Sequence, residues 1–88
     1  MIFYIILEEG DLMYKLLIVE DDFIIAKGLQ KHFEKYHYDV QYIEDFEHVL
    51  DDFLTFQPDL VLLDIHLPFF DGYYWCQEIR KISQVPIV

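Results

Sequence analysis

The stretch Asp59-Leu60-Val61-Leu62-Leu63-Asp64-Ile65-His66-Leu67-Pro68 decides how this 88-residue chain folds. Its apolar centre, LVLL, is too short for a helix and too continuously apolar for a strand with one wet face. It reads as a strand covered on both sides and ending in a carboxylate, Asp64. An earlier run, Lys15–Val19 (KLLIV), has the same character and also ends in acids, Glu20-Asp21-Asp22. Two such strands predict parallel pairing, with carboxylates gathered along one edge of a sheet.

Working outward, Phe23–Tyr36 repeats apolar residues at helical spacing, with Ile25, Leu29, Phe33 and Tyr36 expected inward. Lys27, Lys31 and Lys35 fall on another face and read as solvated. One of the aspartates before this helix is expected to cap it. Tyr38–Ile43 fits a second strand. Asp45–Phe56 returns to helical spacing through Phe46, Val49, Leu50, Phe53 and Leu54, and Pro58 closes it. Tyr73–Ile82 predicts a third helix with Trp75, Ile79 and Ile82 inward, and Val85–Val88 a fourth strand. The order β-α-β-α-β-α-β implies an α/β fold with a parallel sheet and right-handed crossovers.

Composition narrows the function classes. The chain is 55% hydrophobic, enough for one small core and against disorder. A net charge of −11 argues against gripping a phosphate backbone, so no direct nucleic-acid binding is expected of this segment. The single cysteine, Cys76, permits no intrachain disulfide and reads as helix packing in a reducing compartment. Ile2–Leu7 is apolar, but it is short and no basic residue precedes it, so neither a signal peptide nor a membrane span is expected. A purine-rich run could encode Glu8-Glu9-Gly10 just ahead of Met13. Residues 1–12 are therefore expected to be translated leader or a non-native extension rather than an extra strand, with Met13 the natural start and 13–88 a partial domain.

In open α/β sheets, ligands gather beyond the carboxyl ends of the strands, where Glu20, Asp21 and Asp64 fall. Three crowded carboxylates repel one another unless a cation neutralises them. A hard ion with oxygen ligands suits them, and Mg²⁺ uses one or two carboxylates while keeping waters. An aspartate beside such an ion can attack a phosphoryl group and hold it as an acyl phosphate. Taken singly, each acid reads as a helix cap or the start of a loop. Taken with the loop Leu67-Pro68-Phe69-Phe70-Asp71-Gly72, the phosphoacceptor reading is the stronger.

These residues carry a family resemblance. Leu17-Ile18-Val19-Glu20-Asp21-Asp22, Pro58–Asp64 and Leu67–Gly72 together resemble the receiver domain of two-component response regulators. Trp75-Cys76 and Ile79–Ile87 are further similar to regulators of the winged-helix class, among them those of antimicrobial-peptide-sensing systems in Gram-positive bacteria. The resemblance implies a flavodoxin-like doubly wound sheet, present in part. It implies that Asp64 is the phosphoacceptor, Asp21 a direct Mg²⁺ ligand, Glu20 a ligand through water, and the backbone carbonyl of His66 the third protein ligand. Asp22 is expected to cap a helix instead. The side chain of His66 is expected to have no chemical role, and His32, His37 and His48 are expected at the surface.

The implied partner is a sensor histidine kinase docking on the first helix, in the cytoplasm. The family's phosphate-sensing Ser or Thr, its contacting Lys, its dimer face and its DNA-binding domain would lie beyond Val88. The expected role is a signalling module rather than a turnover enzyme. The alternatives are an inert or kinase-titrating fragment, or an aspartyl-phosphate hydrolase. The hydrolase class wants an aspartate two residues after the nucleophile, where His66 stands.

Overall fold

The computed structural model describes residues 14–64, 67 and 71–88. The expected leader, the start at Met13 and the His66 carbonyl ligand lie outside the described residues. Three strands and three helices alternate: β1 (Lys15–Val19), α1 (Phe23–Glu34), β2 (Asp39–Tyr42), α2 (Val49–Phe56), β3 (Leu60–Leu63) and α3 (Gly72–Arg80). The strands are parallel in the order β2-β1-β3. The central strand is the most apolar, and Leu16, Leu17, Ile18 and Val19 are all buried.

Successive strand residues point to opposite faces of a sheet, and this splits the interior in two. Leu17, Val19 and Val61 pack with Ile43, Phe46, Val49, Phe53, Phe56, Trp75 and Ile79 on the side of α2 and α3. Leu16 and Ile18 pack with Ala26, Tyr38 and Val40 on the side of α1. The predicted two-sided burial of both runs is therefore present. So is the predicted mode of connection, since consecutive parallel strands are joined through helices.

The fourth strand differs from its expectation. Val85–Val88 forms a single parallel bridge, Ile87 to Val61, rather than a ladder. Val61 N donates to Pro86 O (2.9 Å), Leu63 N to Val88 O (2.9 Å) and Val88 N to Val61 O (2.8 Å). The segment thus lies beside β3 in strand-like pairing, but two successive bridges are needed to make a ladder.

Helix faces also needed correction. The inward position on α1 is Ala26, fully buried, with Leu29 and Phe33 beside it. Ile25 is 49% exposed and Tyr36 60%, so the expected stripe was off by one residue at its start and overran at its end. Asp22 fixes this phase by starting the helix at Phe23. The end is set by a reversal in which His37 N donates to Glu34 O and Tyr38 N to Phe33 O. These bonds resemble the Schellman pattern, with His37 at φ 68° where glycine is usual. Phe33 and Tyr38 stack edge to face across it, 5.7 Å between centroids.

Helix α2 begins at Val49, four residues after its predicted start. Asp45 accepts from Glu47 N (3.0 Å) and so forms a local turn instead of a cap. Leu54 is exposed, and Phe56, which the spacing argument did not include, is buried. Helix α3 ends at Arg80, so Ile82 falls in the following turn and is exposed. Cys76 is half-buried, and His32, His37, His48, the α1 lysines Lys27 and Lys31, and Lys35 just after the helix are exposed as expected.

Candidate functional site

Strand register builds the site. Val19 pairs with Leu63 across β1 and β3, so the next residues, Glu20 and Asp64, emerge side by side from adjacent strands. Asp64 N donates to Val19 O (2.9 Å), which pins the Asp64 backbone beside the end of β1. Asp21 follows Glu20 and is exposed, while Glu20 and Asp64 are half-buried. One carboxylate oxygen from each of Glu20, Asp21 and Asp64 lies within 4.8 Å of the other two.

Asp22 is kept out of this cluster by a different task. Its Oδ1 accepts from Ile24 N (3.0 Å) and Ile25 N (3.3 Å), and its carbonyl accepts the first helical bond, from Ala26 N. It is the N-cap of α1. The two adjacent aspartates therefore divide as expected, with Asp22 capping and Asp21 left to face the acids. Asp71 caps α3 by accepting from Tyr74 N (2.9 Å). Gly72 is buried directly behind it, and Leu67 packs against the α2–α3 core.

The electrostatics show the strain of crowding like charges. The Glu20 carboxyl is held above its ordinary value of 4.5, first by burial, then by its hydrogen bond with Asp64 and by repulsion from Asp64 and Asp21. A hydrogen bond from Asp22 N to Glu20 Oε1 (3.3 Å) pulls the other way but does not win. A proton on Glu20 would relieve part of this repulsion, and a bound cation would relieve it more fully. A cleft of about 240 Å³ opens from Glu20 and Asp64 toward Leu29, Leu62 and Val88.

The structure brings Glu20, Asp21 and Asp64 together at one edge of the sheet. The described residues do not include His66. Among them, no helix is long and apolar enough to cross a membrane.

Three parallel strands with an acidic cluster beyond their carboxyl ends define an α/β domain of the doubly wound class. The family model for the response regulator receiver domain matches residues 16–88, and the chain belongs to that family. Such domains are the receivers of two-component phosphorelays. The transcriptional regulatory protein YvcP of Bacillus subtilis is 53% identical over 76 residues, which are 86% of this chain and 32% of that protein. The chain therefore spans about a third of the length of that relative. Among solved structures, the N-terminal domain of the nisin resistance regulator NsrR superposes with TM-score 0.78 at 43% identity, covering 84% of this chain and 62% of that one. A chain from the complex of histidine kinase ThkA with response regulator protein TrrA superposes with TM-score 0.76 at 32% identity, covering 85% of this chain and 66% of that one.

Proposed function

We propose that Asp64 accepts a phosphoryl group from a phosphohistidine of a sensor kinase. One Asp64 carboxylate oxygen would bond to phosphorus as the phosphorus–nitrogen bond to the imidazole breaks. The product is an acyl phosphate on Asp64 and a free histidine on the kinase. The observation that carries this reading is the convergence of three carboxylates within 4.8 Å at the ends of β1 and β3.

The donor set fits Mg²⁺, because it is all oxygen, concentrated and partly open to water. Asp21 and Asp64 would hold the ion directly, Glu20 through water, with the His66 carbonyl as a further ligand. When bound, Mg²⁺ supplies charge neutralisation for the transferring phosphoryl oxygens. The chain's own part is to position Asp64. Register with β1 and the 2.9 Å bond from its amide to Val19 fix where its backbone sits.

The partner would dock on α1, which presents Phe23, Ile24 and Ile25 to solvent beside Lys27 and Lys31. The setting is the cytoplasm. The role is that of a labelled signalling module, not a catalyst that turns over. Incubating the chain with Mg²⁺ and acetyl phosphate should add one phosphoryl group, and Asp64→Asn should abolish it. Continuous phosphate release would point to a hydrolase. Labelling that survives in Asp64→Asn would sink the assignment of the acceptor.

A further inference from the structure

The turn between β2 and α2 holds a pair that the acceptor chemistry does not use. His48 Nδ1 lies 2.6 Å from Asp45 Oδ2, three residues earlier. That separation is short even for a charge-assisted hydrogen bond. The other Asp45 oxygen accepts from Glu47 N (3.0 Å), and the Asp45 carbonyl accepts from His48 N (3.1 Å). One aspartate thereby closes the whole turn. His48 in turn starts α2, because its carbonyl accepts the first helical bond, from Asp52 N (3.1 Å).

We propose that Asp45 and His48 form a proton-dependent clasp that holds the first turn of α2 closed when His48 is charged and loosens it when His48 is neutral. The charged groups acting on His48 are Asp45 and Glu47 from its own turn and Asp51 from α2. Asp52 on α2 also couples to it, and Asp52 in turn feels Glu44, Asp45 and Asp51. The imidazolium is the cation inside this run of five carboxylates. A positive charge at a helix N-terminus opposes the helix dipole. The clasp forms against that tendency because the surrounding acids outweigh it.

The hydrogen bond to Asp45, followed by attraction to Asp45, raises the His48 value above 6.5, and the same bond to His48 lowers Asp45 below 3.8. For His48, a raised folded value means the stabilisation is complete below 6.5 and lost as pH rises through the folded value. For Asp45, a lowered value means it is present above 3.8 and lost as pH falls through the folded value. The clasp is closed between those limits and opens on both sides. Phe46 and Val49, both buried, keep the opening local by anchoring the segment in the core.

The test uses the full 88-residue chain and two readouts. The first is the His48 titration followed by NMR in the wild type and in Asp45→Asn. The second is hydrogen exchange of the Asp52 amide, corrected for intrinsic base catalysis, in the wild type and in His48→Gln. The His48 midpoint should fall in Asp45→Asn. Protection of Asp52 should drop severalfold through the wild-type His48 titration and show no such step in His48→Gln. An unmoved midpoint, or Asp52 protection that ignores the His48 titration, overturns the clasp.

Discussion

Gln57 and His37 each hold left-handed backbone, at φ 54° and 68°, although neither is glycine. Non-glycine residues in that region lose about 1–2 kcal/mol to the contact between Cβ and carbonyl. Glycine removes that cost but gives back about 0.5–1 kcal/mol through the freedom of the unfolded chain. Gln57→Gly and His37→Gly should therefore each raise stability by about 0.5 to 1 kcal/mol, read from urea midpoints at unchanged slope. Gly28 is the converse case. It lies inside α1, and a Cβ built there meets nothing within 4 Å. Gly28→Ala should stabilise the chain by about 1 kcal/mol, or roughly 4–8 °C in melting temperature. At this scale the sequence was legible wherever chemistry is local. Asp22 beside a helical run announces a cap, and acids after apolar runs announce the site. The positive-φ residues were not legible, because neither His nor Gln marks such a turn by type.

Helices were less legible than strands, for a physical reason. Strand direction alternates residue by residue, so the runs KLLIV and LVLL, apolar toward both faces, leave no phase to misassign. A helix face depends on where the first turn begins, and a shift of one residue rotates it by about 100°. Ile25 and Ala26 differ by that step, and the structure buries Ala26. The start of α2 escaped for a related reason. Asp45 can cap a helix or bond its own turn, and the buried Phe46 just after it suits either choice. The last segment is held by Arg80 in addition to its backbone bonds to β3. Arg80 Nη1 donates to the carbonyls of Ser83 and Val85, folding the end of α3 back toward Val85–Val88. Arg80→Ala should loosen that segment selectively. Hydrogen exchange should quicken at the Val61, Leu63 and Val88 amides, which bond across to or from it. The Asp39 amide, bonded to Tyr14 O at the far edge, should not change. Equal acceleration at both edges would mean that Arg80 acts on global stability instead.

Over the whole molecule, 17 acidic residues face 6 Lys and Arg, so the fold forms against its own repulsion. That repulsion is sharpest where β1 and β3 deliver Glu20, Asp21 and Asp64 to one point. Burial and its acidic neighbours hold Glu20 above 4.5, so protonating it favours the folded state. That contribution is complete below pH 4.5 and is lost as pH rises through the folded value. A divalent cation competes for the same oxygens and replaces the proton when it leaves. The Mg²⁺-induced rise in melting temperature should therefore be smaller near pH 4.5 and grow as Glu20 ionises. Sodium chloride at matched ionic strength should give a smaller rise, since screening acts on all the acids and not on this cluster alone. Glu20→Gln separates the two causes. Without metal it should melt higher than the wild type at neutral pH, because one of three crowded charges is gone. Its Mg²⁺ response should be smaller and nearly flat across the range where Glu20 titrates. Differential scanning fluorimetry across that range, with and without Mg²⁺, reads both effects. An Mg²⁺ shift that is equally large at pH 4.5, or unchanged in Glu20→Gln, would remove Glu20 from the ion's surroundings.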